Sequence, residues 1–142
     1  KKKKEGEQKR SAIDGVPTAM PATLQAVRLT EKASRVGFDW PGVKEVMDKI
    51  DEELEELKIS ISRNKREEIK HELGDLLFAV CNLSRHLEMD PEEVHRDCLI
   101  RFRNRFRFME KLAEKEGKKL SDYTLQEQDK FWDKAKEVLQ DA

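Results

Sequence analysis

A chain of 142 residues with 29 Lys and Arg against 30 Asp and Glu has a net charge of -1, which excludes both a basic field for nucleic acid and an acidic field that repels phosphate. That length holds one core and not two independent ones. With 42% charged and 37% hydrophobic residues, the composition predicts amphipathic helices rather than sheets, because each helix needs only one apolar stripe. Cys81 and Cys98 fall inside apolar helical patterns without metal-knuckle spacing, so both are expected to be reduced core thiols of an intracellular protein. No apolar run approaches the roughly 20 residues of a membrane span, and the start KKKKEGEQKR lacks the hydrophobic segment of a signal peptide. A cytoplasmic location is expected, with no membrane and no nucleic acid as partner.

Residues 1–21 carry charges, Gly15, Pro17 and Pro21 but little apolar periodicity, and read as a linker or lead-in. Residues 22–142 are expected to form the helical domain. Ala26, Leu29, Ala33 and Val36 predict a first helix from Ala22, which the segment GFDWPG breaks. Val43, Val46, Met47, Ile50, Leu54, Leu57 and Ile61 define a second helix with one narrow stripe. Ile69, Leu73, Leu76, Leu77, Val80, Leu83 and Leu87 define a third, the most apolar and therefore expected to be the most central. Asp90 as N-cap, Pro91 at the first helical position and Glu93 open a fourth helix that runs to about Glu116. Its stretch RFRNRFRF alternates like a strand, but Phe102, Phe106 and Met109 share one helical face and are expected in the core. After Gly117, Thr124 and Glu127 form a capping box for a last helix with Leu125, Trp132, Ala135 and Leu139.

At about 100° per residue, Glu53 and Glu56 land on one flank of the second helix's stripe with Lys49 between them, while Glu52 and Glu55 face roughly away. Glu72 and Asp75 lie side by side at the border of the third helix's apolar face. Packing the two stripes together converges two i,i+3 carboxylate pairs, which repel unless a cation sits between them. All-oxygen ligands favour a hard ion, Mg²⁺ first and Mn²⁺ second. A carboxylate-bridged iron site is disfavoured, since His71 precedes Glu72 instead of following it by three. Mg²⁺ on carboxylates completes its shell with phosphate oxygens, so the site implies a polyphosphate substrate, with Glu52 placed to orient a water. Taken alone, EELEE is more often a solvated helix face, but HELGDLLF sets two acids against an apolar helix, where unpaired charge is costly. Arg101 and Arg105, one turn apart, are either donors for triphosphate oxygens or a solvated surface pair, and Trp132 is either core or base platform. His71, His86 and His95 lack metal spacing and read as non-ligands.

Glu52-Glu53-Leu54-Glu55-Glu56 and Glu72-Leu73-Gly74-Asp75 resemble the E-E-x-x-E and E-x-x-D motifs of the MazG-type all-α nucleoside triphosphate pyrophosphohydrolases. The segments Glu31 to Pro41, Gly74 to Leu83 and Phe102 to Phe106 are similar as well, so the resemblance covers nearly the whole chain. Asp14-Gly15-Val16-Pro17 resembles the joint before the second MazG domain of long bacterial members. The resemblance implies a dimerising bundle of four to five helices that cuts nucleoside triphosphates between the α and β phosphates, giving monophosphate and pyrophosphate. It implies Glu53, Glu56, Glu72 and Asp75 as Mg²⁺ ligands, Glu52 and Glu53 in catalysis, and Lys49, Arg101, Arg105 and Trp132 around the nucleotide. Arg101 stands where the family usually has Lys, and Lys70 is the nearby cation for a basic position that Glu68 occupies. The rival reading is a non-enzymatic helical module that binds metal or a regulatory partner.

Overall fold

Glycine, proline and short polar caps set the helix ends in the computed structural model, which describes residues 11–140. Helix α1 spans Ala22–Ser34 behind Pro21, and Gly37 (φ +92°) turns the chain so that the Phe38 N–H reaches the Ala33 carbonyl at 3.1 Å. Helix α2 spans Val43–Arg63 and stops at Asn64 in the left-handed region. Helix α3 spans Arg66–His86, and α4 spans Pro91–Lys115. The Asp90 Oδ1 accepts from the Glu92 N–H at 2.9 Å, as its N-cap position predicts. Gly117 (φ +72°) closes α4, a 3₁₀ turn follows at Leu120–Asp122, and α5 spans Leu125–Leu139. No strand occurs among the described residues, and no described helix is long and apolar enough to cross a membrane. The protein is all-α.

The α5 cap forms both reciprocal bonds. Thr124 Oγ1 accepts from the Glu127 N–H at 3.1 Å, and Glu127 Oε1 accepts from the Thr124 N–H at 2.8 Å. Thr124→Ala removes one of them and is expected to cost about 1 kcal/mol in urea unfolding. A loss below about 0.3 kcal/mol would mean that the cap contributes little to α5.

The chain divides into two compact units, one reaching to Glu92 and one beginning at Glu93. In the first, α3 packs against both α2 and α1. Its buried apolar side chains are mostly small: Ala26, Ala79 and Cys81 join Val46, which is 1% exposed. Small side chains let the helices approach closely, which later matters for the acids. α3 was expected to be the most buried helix, yet Leu73, Leu77 and Val80 are exposed, as are Leu54 and Ile61 of α2. α1 and α2 pack against α3, and among the described residues its remaining apolar side chains stay uncovered.

In the second unit Met109, Ala113 and Ala135 are buried, and Tyr123 meets Phe131 edge-on at 4.8 Å while its hydroxyl bonds Glu116. Phe102 and Phe106 stack at 5.9 Å but stay exposed, contrary to the core position expected of them. Cys98 is also exposed, so only Cys81 is the buried thiol that the pattern predicted for both. A helix of 15 residues cannot cover every apolar face of one of 25.

Candidate metal centre

The α2·α3 contact brings three of the four expected acids together. One carboxylate oxygen from each of Glu53, Glu56 and Glu72 lies within 4.8 Å of the others. Glu53 is 5% exposed, and its Oε2 accepts from Lys49 Nζ at 2.9 Å. Its Oε1 is buried with no hydrogen-bond partner, and so is the Oε1 of Glu72. Burial, a hydrogen bond that the protonated carboxyl donates to Glu56, and the charges of Glu56 and Glu53 push the Glu72 carboxyl above the usual carboxylate range. The Lys49 ammonium is held above its ordinary value, first by its hydrogen bond to Glu53, so it stays charged at neutral pH. One ammonium among three carboxylates leaves a net negative site with two orphaned oxygens. Such oxygens are normally paired or coordinate a metal, so the donor set fits a hard divalent cation.

Asp75 joins Glu72 in a second group with His71 and pairs with His71 Nε2 at 3.3 Å, its side chain about half exposed. His71 therefore stands among potential ligands although its spacing argued against it; in sequence, His-x-x-x-Asp on one helix reads as an ordinary i,i+4 ion pair. Lys49 pairs with Glu53 at 2.9 Å and with Glu52 at 3.5 Å. Glu52 is exposed beyond that contact, and Lys70 is exposed on α3.

Beside the cluster lies a cavity of about 300 Å³ that the sequence reading did not anticipate. Phe38 and Trp40 from the α1–α2 loop, Val46 from α2 and Phe78, Ala79 and Asn82 from α3 line it, together with Lys49, Glu53 and Asp75. The loop is tied down through Asp39, whose Oδ1 accepts from Arg85 Nη2 at 2.7 Å and lies 3.0 Å from His86 Nε2. Arg85 Nε also donates to Thr30 Oγ1 and to Asn82 Oδ1, each at 3.0 Å. Burial raises the Asp39 pKa, but the Arg85 and His86 hydrogen bonds outweigh it and hold the carboxyl below its ordinary value. In sequence, GFDWPG signals only a helix break, since nothing local shows that Asp39 meets a residue 46 positions later.

In the second unit, the Arg105 guanidinium lies 5.3 Å from the centre of the Trp132 ring, which also meets Phe102 at 5.6 Å. Arg101 is half-buried one turn before Arg105.

Fold and site together define an all-helical protein with a carboxylate cluster suited to a divalent cation. Residues 25–98 match the phosphoribosyl-ATP pyrophosphohydrolase family, and the chain belongs to this family as a MazG-type member. It is 42% identical over 136 residues to the nucleoside triphosphate pyrophosphohydrolase/pyrophosphatase MazG of Thermotoga maritima, covering 96% of this chain and 52% of that protein. It is 32% identical over 128 residues to the nucleoside triphosphate pyrophosphohydrolase of Escherichia coli, covering 89% of this chain and 49% of that one. A shorter match, 36% over 61 residues, links it to the phosphoribosyl-ATP pyrophosphatase of Geobacter metallireducens, covering 43% of this chain and 56% of that protein. The chain spans about half the length of the MazG and Escherichia coli relatives.

Proposed function

We propose that this chain hydrolyses nucleoside triphosphates to the monophosphate and pyrophosphate with Mg²⁺, Mn²⁺ being a substitute. The observation that carries the reading is the pair of buried, unpartnered oxygens on Glu53 and Glu72, on facing helices and beside an aromatic-lined cavity. Glu53, Glu56 and Glu72 would hold the ion, with Asp75 completing the set. The ion supplies polarisation of a phosphoryl oxygen, neutralisation of developing charge and a water of lowered pKa. Lys49 presents an ammonium to phosphate oxygens from within the same cavity, and Glu52 holds that ammonium from its exposed side. Glu52 is also the carboxylate we assign to orienting the attacking water. Arg101 and Arg105 are assigned to the triphosphate as charge-assisted donors, Trp132 to the nucleoside and Lys70 to an outer phosphate contact. Cleavage between the α and β phosphates is in keeping with the relatives' names as nucleoside triphosphate pyrophosphohydrolases.

A homodimer is part of this proposal. The exposed Leu54, Ile61, Leu73, Leu77 and Val80 leave apolar faces of α2 and α3 uncovered, and a second copy is the simplest partner to bury them. We also place the protein in the cytoplasm, in keeping with the buried thiol of Cys81. The deciding experiment is a panel of nucleoside triphosphates with Mg²⁺, resolved for pyrophosphate, orthophosphate and mononucleotide. Equimolar pyrophosphate and monophosphate are expected. Orthophosphate with a diphosphate product would contradict the position of attack, and no cleavage at micromolar protein would return the non-enzymatic module.

A further inference from the structure

The cavity beside the acids contains one polar side chain that metal binding leaves unused. Asn82 is 2% exposed and lines the cavity with Phe38, Trp40, Val46, Phe78 and Ala79. Its amide orientation follows from chemistry. Arg85 Nε can only donate, and it lies 3.0 Å from Asn82 Oδ1, so the oxygen end must face Arg85. Arg85 cannot swing away cheaply, because Asp39 at 2.7 Å and Thr30 at 3.0 Å hold the same guanidinium. The Nδ2 end of Asn82 is left, and it donates to no group among the described residues. Asn82 lines the cavity, so this amide end is open to a hydrogen-bond acceptor that enters it.

We propose, on the basis of the triphosphate reading above, that Asn82 is a base-reading residue whose Nδ2 donates to a carbonyl oxygen of the nucleobase, so bases carrying a carbonyl are admitted and adenine is disfavoured. The size and walls of the cavity fit one ring system. At about 300 Å³ it is at the small end of ligand sites. Phe38 remains 74% exposed and Phe78 44% exposed, which leaves aromatic surface for a planar ring to cover. An asparagine reads adenine through both ends of its amide, the oxygen accepting from the exocyclic amine while the nitrogen donates to the ring. Here the oxygen is engaged by Arg85, so that two-point contact is lost and adenine keeps only a single hydrogen bond, at a ring nitrogen beside its amine donor. A carbonyl oxygen needs only the donor end. Thr30, Asp39 and Arg85 act as positioning residues for this amide, since they fix which end it presents.

The test uses the full chain with Mg²⁺ and two analogues whose α–β bridge resists hydrolysis, α,β-imido-UTP and α,β-imido-ATP, measured by calorimetry. Wild type is expected to bind the uridine analogue at least about tenfold more tightly. Asn82→Asp keeps an oxygen for Arg85 and removes the donor; it should lower the uridine:adenosine affinity ratio about tenfold, whatever uniform loss the new charge brings. Equal binding of both analogues by wild type overturns the proposal without recourse to any variant. An unchanged ratio in Asn82→Asp assigns the residue a purely structural role and also overturns it, as does failure of the uridine analogue to bind. Cleavage of the nucleotide panel without base ranking would sink this inference and leave the proposed activity standing, whereas ranked binding without cleavage would do the reverse.

Discussion

Glu72→Gln is expected to lower turnover of a nucleoside triphosphate by more than about 100-fold while raising the thermal stability of the metal-free protein. The two effects have one cause. Glu72 brings a buried oxygen with no partner to a place where Glu53 and Glu56 already lie within 4.8 Å. An isosteric neutral amide removes the charge that attracts a cation and, in the cation's absence, the charge that repels the neighbouring acids. A residue that served only the fold would lose stability and activity together. Steady-state kinetics with Mg²⁺ and a melting curve in chelator read the two signs separately. Activity within threefold of wild type would remove Glu72 from the site.

Metal should raise the melting temperature, and more so as the pH rises. The sign follows from Glu72. Its folded pKa is raised above the ordinary 4.5, so the folded state keeps a proton that the unfolded chain has released. Between those two values stability falls with rising pH, and above the folded value the metal-free protein carries the full repulsion. Mg²⁺ competes with that proton, so its stabilising increment should grow across the window and level off once the carboxyl is ionised. With metal hundredfold above its Kd, the plateau shift should be on the order of 10 °C for a chain of this size. An increment that is flat from the acid side to neutrality, or equal in Glu72→Gln, would contradict the linkage.

The helices were legible in the sequence because their limits are local. Pro21, Gly37, Asp90-Pro91, Gly117 and the Thr124–Glu127 box each act within a few residues of themselves, and the ends fall there. The acids were legible for a related reason: i,i+3 spacing fixes a helix face before any partner is known, and small residues at the α2·α3 contact let two such faces meet. What a wheel cannot supply is the axial offset between helices. That offset places Glu72 against Glu53 and Glu56 and leaves Asp75 beside His71. The cavity was invisible for a stronger reason. Its wall depends on the path of the GFDWPG loop, fixed by Asp39 reaching Arg85, and its polar group is Asn82, which in sequence looks like one more residue of an apolar helix. The exposed Phe102, Phe106, Leu73 and Leu77 mark where the pattern reported apolar faces correctly but could not say what covers them.

Whether Glu53, Glu56 and Glu72 share a divalent cation is read from an anomalous difference map of crystals soaked in Mn²⁺. A peak bounded by these three side chains is expected, with oxygen ligands at roughly 2.0–2.2 Å. A map without density at the cluster, under soaking that loads Mn²⁺ elsewhere on the protein, would contradict a shared cation.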